Sequence, residues 1–411
     1  GGASFTRALA ASVAGTGTVS LAGTAGFAAG TTSRLVVSLA VGATPNAALT
    51  WSTTAGFAPT SLVLGSSTAL GETEITNNIA LGTAARTVTV NNNGNTGTMV
   101  TAGILSGVIC GGAGGTLTKA GGGVLILGNA NTYIANTIIT GGNLVVTSIG
   151  NATGTTSSSL GASGGALQYN VDGDLNGLIY VGAGETASRP WQFVSSALGA
   201  NRTYRIDSSG SGPLGLSGVF TNSTQTNTAG RTITLELRGS NTDFNIISSV
   251  LSNATGTNTP ALNIGKSDGG AWVLNPASAN TFTGSITSSG GLLGLTTFGI
   301  GNASGIRLSN GGIFAYGAAL STAKPLTIAN NASGVFAGDK SITFTSAVII
   351  EAGGNDNTIA NTLTGGATLN LSAGFTNNKT SAQTLNFRGA GSTVITGALA
   401  NGTVAGQVVS I

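Results

Sequence analysis

Short runs of alternating apolar and polar residues recur along this chain. Thr87-Val-Thr-Val90, Thr232-Ile-Thr-Leu-Glu-Leu237 and Ser341-Ile-Thr-Phe-Thr345 are three of them. A period of two puts every second side chain on one face, so each run predicts a half-buried strand. Gly-Gly, Asn-Gly and Gly-Asn pairs separate the runs and supply positive φ at tight corners. Such corners also close β-hairpins. The runs here are numerous, short and poor in the aromatic cross-strand pairs that stabilise hairpins. Only 21 of 411 residues are aromatic, which leaves small apolar side chains to fill a narrow, ladder-packed core.

The runs belong to a long repeat. Gly123-Val-Leu-Ile-Leu-Gly-Asn-Ala-Asn131-Thr-Tyr133, then Gly141-Gly142-Asn-Leu, then Ile149-Gly-Asn-Ala-Thr-Gly154 form one copy. Gly270-Ala-Trp-Val-Leu274, then Ala279-Asn280-Thr-Phe282, then Gly290-Gly291-Leu-Leu293, then Ile300-Gly-Asn-Ala-Ser-Gly305 form the next. Asn131 and Asn280 are 149 residues apart, and Ile149 and Ile300 are 151 apart. Arg86-Thr-Val-Thr-Val90 recurs at Arg231, and Leu235-Glu-Leu-Arg-Gly239 recurs as Leu385-Asn-Phe-Arg-Gly389. A fixed period of this kind marks a stacked architecture.

The expected fold is all-β: a right-handed parallel β-helix (β-solenoid), with coils of roughly 20–25 residues. It is expected to run as one continuous solenoid over residues 1–411. Its macro-repeats of about 150 residues would be a partial one over 1–120, a full one over 121–270 and a truncated one over 271–411. The alternative is a set of tandem β-sandwich domains, which the same period would suit. The third copy stops before its Asn-Thr-aromatic core, so the chain reads as a window cut from something longer.

Composition narrows the function. Only 27 residues are Lys, Arg, Asp or Glu, 7% against about 25% in ordinary domains. Gly makes up 68 residues. The regular β-branched and apolar content argues against disorder. The net charge is +3, and Lys and Arg are scattered singly, so the basic footprint of nucleic-acid binding is missing. No run of 18 apolar residues predicts a helix across a bilayer. The chain does not begin with Met and shows no signal peptide, so Gly1 reads as an internal or processed start. The Ser, Thr, Asn and Gly bias without His fits a bacterial extracellular or cell-surface protein. Cys110 stands alone, a small hydrophobe rather than half of a disulfide.

The segment Leu117-Thr-Lys-Ala-Gly-Gly-Gly-Val-Leu-Ile-Leu-Gly-Asn-Ala-Asn-Thr-Tyr133 resembles the autotransporter-associated β-strand repeat of bacterial surface passengers. Gly265-Lys266 through Asn280-Thr-Phe-Thr-Gly284 resembles it more loosely, and Asn136 stands where that family often has a second Gly. Leu49-Thr-Trp51, Ser61-Leu-Val-Leu-Gly65 and Asn78-Ile-Ala-Leu-Gly82 are similar to the longer repeat of giant planctomycete- and verrucomicrobium-like proteins. The resemblance implies a β-helical surface protein and no catalysis. Physically, Asn131 and Asn280 are expected to hydrogen-bond corner backbone that the strand ladder leaves free. Tyr133 and Phe282 are expected to cap the core beside them.

Candidate chemistry is sparse. Without His, every His-based triad and metal site is excluded. Glu72-Thr-Glu74 and Asp172-Gly-Asp174 each place two acids on one strand face, the arrangement of a Ca²⁺ site or a glycosidase acid/base pair. The bland reading, surface acids beside a turn, is preferred. Gly353-Gly-Asn-Asp356 faintly echoes a Ca²⁺ nonapeptide, and Gly111-Gly-Ala-Gly-Gly115 lacks the Lys-Ser/Thr of a phosphate loop. The sequons at Asn151, Asn222 and Asn331 arise by chance in so Asn- and Thr-rich a chain. No catalytic, cofactor or metal residue is assigned, and no cofactor is expected.

The expected function is a non-catalytic structural segment of a long extracellular fibre or passenger stalk. Without charged or helical caps, its ends are expected to continue covalently or to dock onto other copies, head to tail or laterally. The alternative is an adhesin or glycan-binding module, with Trp51, Trp191 and Trp272 as stacking platforms and surface glycans as partners. A β-helical lyase or hydrolase would need several acids converging in one groove.

Overall fold

The computed structural model describes residues 3–11, 17–92, 102–162, 164–170, 177–194, 201–222, 225–226, 232–257, 260–354, 356–378, 383–398 and 409–410. They fall into two compact units, Gly1–Ser211 with Ser217–Ser223, and Gly212–Leu216 with Thr224–Ile411.

In the first unit, one sheet runs Ala3–Leu9, Leu35–Ala40, Thr73–Ile75, Ala102–Leu105, Val124–Leu127, Asn143–Val146, Gly177–Tyr180 and Arg202–Ser208. A second runs Leu21–Phe27, Phe57–Leu64, Arg86–Val90, Leu117–Ala120, Thr137–Ile139, Leu167–Tyr169, Trp191–Phe193 and Phe220–Asn222. The chain visits the two sheets in turn, so each strand lies on the strand of the coil before it.

The second unit is built the same way. One sheet runs Ile233–Arg238, Leu262–Lys266, Ile286–Ser288, Ile306–Leu308, Leu326–Ile328, Val348–Ile350 and Phe375–Asn377. Another runs Leu214–Leu216, Asn245–Ile247, Ala271–Leu274, Leu292–Leu295, Gly312–Ala315, Ser333–Ala337, Asn357–Asn361 and Gln383–Arg388. A third holds Leu320–Thr322, Ile342–Phe344, Thr368–Leu371 and Ser392–Ile395.

Every strand pair named here is parallel, which rules out the antiparallel sheets of a β-sandwich. Each unit is a right-handed parallel β-helix, and the one helix among the described residues is the single turn Thr297–Ile300.

Period-two alternation explains which side chains enter the core. Ile233–Arg238 alternates buried and half-buried along its whole length, and Arg86–Val90 buries Val88 and Val90. Parallel register then stacks like on like. Leu125, Leu144, Leu178 and Ile206 form one buried column in the first unit. Ile264, Ile286, Ile306, Leu326 and Val348 form another in the second. Each such side chain contributes about 1.5–3 kcal/mol by leaving water.

The coils are less uniform than expected. Val124 pairs with Asn143, 19 residues on, whereas Leu35 pairs with Thr73, 38 residues on. The strands repeat while the corners absorb insertions, because a loop that leaves and rejoins the same rung adds little closure entropy.

Candidate functional site

The repeated motif builds a buried corner, and the two copies do so with the same atoms. Asn131 and Asn280 are buried. Asn131 Oδ1 accepts from the Ile109 amide of the preceding coil at 2.8 Å, and its Nδ2 donates to the Ser159 carbonyl of the following coil at 2.8 Å. Asn280 does likewise with the Leu251 amide at 2.8 Å and the Gly299 carbonyl at 2.7 Å. Asn77 and Asn245 make comparable buried contacts at other corners. Tyr133 and Phe282 lie fully in the core beside these corners. The Tyr133 hydroxyl meets Thr137 Oγ1 at 2.6 Å, and burial pushes its pKa up to about 12.

A buried lysine fills the neighbouring turn of each copy, at the other end of the strand that leads to the asparagine, a role that sequence reasoning missed. Lys119 Nζ donates to the carbonyls of Ala120, Gly121 and Gly141 at 3.0, 2.7 and 2.8 Å. Lys266 Nζ donates to those of Ser267, Asp268 and Gly290 at 2.5, 2.9 and 3.0 Å. Burial lowers the Lys119 amine to about 7 and the Lys266 amine to about 8, the latter opposed by Asp268. The Gly-Gly turn is shaped to this cradle. Gly142 and Gly291 have φ of 62° and 56°, and a Cβ on either would lie 2.2 Å from a carbonyl oxygen of the coil beneath. The signal available in the sequence was a Lys followed within three residues by a Gly-Gly pair, 147 residues apart in the two copies.

The candidate acids are tied to cations or lie elsewhere. Arg34 spans Glu72 and Glu74, with Nε 2.8 Å from Glu72 Oε2 and Nη1 3.1 Å from Glu74 Oε2. The hydrogen bond to Glu72 raises the Arg34 pKa. This guanidinium stands where a Ca²⁺ ion or a reacting sugar would need open carboxylate oxygens. Asp172 and Asp174 lie outside the described residues. Asp356 Oδ1 accepts from the Thr384 amide at 2.8 Å. Among the described residues no three His, Cys, Asp or Glu side chains group together. Cys110 is half-buried rather than enclosed, at the end of the short strand Ile109–Cys110.

The tryptophan platforms are corrected by the structure. Trp51, Trp191 and Trp272 are all buried, because each occupies or adjoins a strand position facing the core. Trp51 Nε1 donates to the Pro59 carbonyl at 2.7 Å, and Trp272 Nε1 to the Arg238 carbonyl at 2.8 Å. Trp191 stacks on Phe220 with ring centroids 5.4 Å apart. None offers a face to a sugar.

Other rings do reach the surface of the second unit. Register stacks Val273, Gly294 and Phe314 on successive coils. The Phe314 ring lies against Gly294, where a Cβ would come within 2.5 Å of it. Phe244 packs on Phe314 at 5.1 Å and meets Tyr316 edge-on at 5.8 Å, while remaining 49% exposed. Beside Tyr316 lies a groove of about 300 Å³, bounded by Thr296, Thr297 and Phe298 on one side and residues 316–320 on the other. Phe298 is 50% exposed on the helical turn. That turn is fixed from below: Thr296 Oγ1 accepts from the Gly299 amide at 2.9 Å and donates to the Leu274 carbonyl at 3.2 Å. No charged residue lines the groove.

No protein-family model matches the chain, and no solved structure matches it. It is similar to the adhesin BmaC autotransporter of Brucella suis biovar 1 (strain 1330), with 37% identity over 145 residues. That alignment covers 34% of this chain and 4% of the relative, so the match spans a small part of a much longer protein. Over this third of the chain the likeness to an autotransporter adhesin stands on sequence.

Proposed function

We propose that this chain is a segment of a bacterial β-helical passenger, exposed on the cell surface or secreted, which supplies length and presents its outer face without catalysis. The two duplicated corners carry this reading. An Asn bridging to the coils on either side, a Lys on three carbonyls and a Gly-Gly turn recur with the same atoms in the same roles. Such a device turns sequence repetition into rigid length, and solenoid stability then grows rung by rung.

The chemistry of the charged groups supports the absence of catalysis. Glu72 and Glu74 face Arg34, Asp268 faces Arg238, and Glu351 faces Arg307. Glu185 accepts from the amides of Ile149 and Gly150. Continuation within a longer chain or docking onto other copies, end to end or laterally, belongs to the same proposal.

A second reading, adhesion, is favoured by the relative's designation as an adhesin and by the surface rings of the second unit. The two are compatible, since a stalk with an adhesive face serves both. The test is antibody against residues 1–411 applied to intact cells of the source bacterium. Labelling of intact cells or of shed material is expected. Labelling only after lysis would overturn the proposal.

A further inference from the structure

The rings at the surface of the second unit point to a ligand class. Phe244 and Tyr316 are in mutual contact over the buried Phe314, and Phe298 lies across the groove from Tyr316. Phe244 and Phe298 are 49% and 50% exposed, so each leaves an apolar ring face open to a ligand. The structure also holds them still. Phe298 rides on a capped helical turn whose Gly299 fits against the Leu274 carbonyl so closely that a Cβ there would lie 2.2 Å from its oxygen. Phe244 rests on Phe314 and against the edge of Tyr316. Rings fixed in advance bind without the ordering cost that mobile side chains incur.

We propose that the groove between Phe298 and Tyr316, continued over Phe244, binds a neutral saccharide. The proposal rests on the reading of the chain as an outward-facing surface segment and names the ligand of its adhesive face. Sugar rings present apolar C–H faces and hydroxyl edges. Phe298, Tyr316 and Phe244 supply ring faces for the first. The hydroxyls of Thr297 and Tyr316, with the main chain of Gly317 and Ala318, supply partners for the second. The lining has no Lys, Arg, Asp or Glu, so nothing in it selects an acidic sugar or a charged peptide.

Volume limits the ligand as well. About 300 Å³ is the lower end of the range for small-molecule sites, so the groove takes a short stretch of chain and leaves the rest to run over Phe244. An apolar peptide anchor is a poorer fit. The hydroxyls of Thr297 and Tyr316 stand in the groove lining, and an apolar side chain would leave them without partners where a sugar would not.

The experiment uses the whole 411-residue chain. Maltohexaose, cellohexaose, laminarihexaose, mannopentaose and lacto-N-tetraose are titrated by calorimetry and by saturation-transfer NMR. At least one is expected to bind, with its ring protons saturated from the aromatic signals. Phe298→Ala and Tyr316→Ala are each expected to weaken that binding by about tenfold. Their melting temperatures should stay near that of the parent, since Phe298 is half-exposed and Tyr316 half-buried.

Arg34→Ala, in the other unit, should leave binding unchanged. Failure of the whole panel to bind, or equal binding by the Phe298→Ala/Tyr316→Ala double variant, overturns the proposal. So does capture of an uncharged apolar dodecapeptide at the groove in place of every sugar. Surface labelling of cells is scored separately. A labelled surface with no sugar binding removes the ligand and leaves the passenger reading standing.

Discussion

Replacing Asn131 with Ala tests whether the corner asparagine holds neighbouring coils together. The carboxamide is buried and makes two bonds of 2.8 Å, one to the Ile109 amide and one to the Ser159 carbonyl. Ile109 and Ser159 are themselves buried. Truncation leaves a donor and an acceptor without partners in a dry corner, at about 1–3 kcal/mol each. Water entering the vacated space recovers part of this, so a loss of about 3 kcal/mol is expected. Solenoids open locally, and a single global midpoint would dilute the effect.

Hydrogen exchange by mass spectrometry is therefore the assay. The Ile109 amide should exchange about a hundredfold faster in Asn131→Ala, the equivalent of roughly 3 kcal/mol of lost protection. Asn280→Ala should do the same at Leu251 and leave Ile109 alone, because its acceptor is bonded there at 2.8 Å. Asn92→Ala, at an exposed position, serves as the control. Unchanged exchange at Ile109 in Asn131→Ala, or an equal change in Asn92→Ala, would refute the reasoning.

Two further outcomes are expected. Burial lowers the Lys119 and Lys266 amines to about 7 and about 8 from 10.5, so between those values the unfolded chain binds more protons than the folded one and stability rises with pH. This contribution is fully present above 10.5 and is lost as pH falls to the folded values; melting curves from pH 6.5 to 10.5 should therefore climb in the parent and flatten in Lys119→Met/Lys266→Met. Gly142→Ala combines a φ of 62° with a Cβ only 2.2 Å from the Gly123 carbonyl oxygen, so its thermal midpoint should fall by several degrees, whereas Gly128→Ala, with nothing within 4 Å, should melt like the parent.

Much of the fold was legible because strand alternation is a property of neighbours in sequence. Thr87 to Val90 and Ile233 to Leu237 show their buried face without any partner. The corner role of Asn131 and Asn280 was also legible, since an Asn after an apolar strand and before an aromatic has few other uses. The lysines were harder. Lys119 gains its meaning from Gly141, 22 residues on, whose carbonyl closes the cradle. The tryptophans stayed open in the sequence because a ring in a short apolar run can face either way, and only register put Trp191 against Phe220. Phe298 follows the apolar Leu292–Leu295 strand and looks like core; the helical turn sends it outward.

Sequence alone thus determined the period, the strand faces and the polar bridges at the corners. All of these depend on residue type and on spacing within a few positions. Tertiary structure decided the length of each coil, the carbonyl cradle of each lysine and the aromatic groove of the second unit. Those depend on which residue lands above which, and coils of 19 and 38 residues place neighbours that no fixed period could assign.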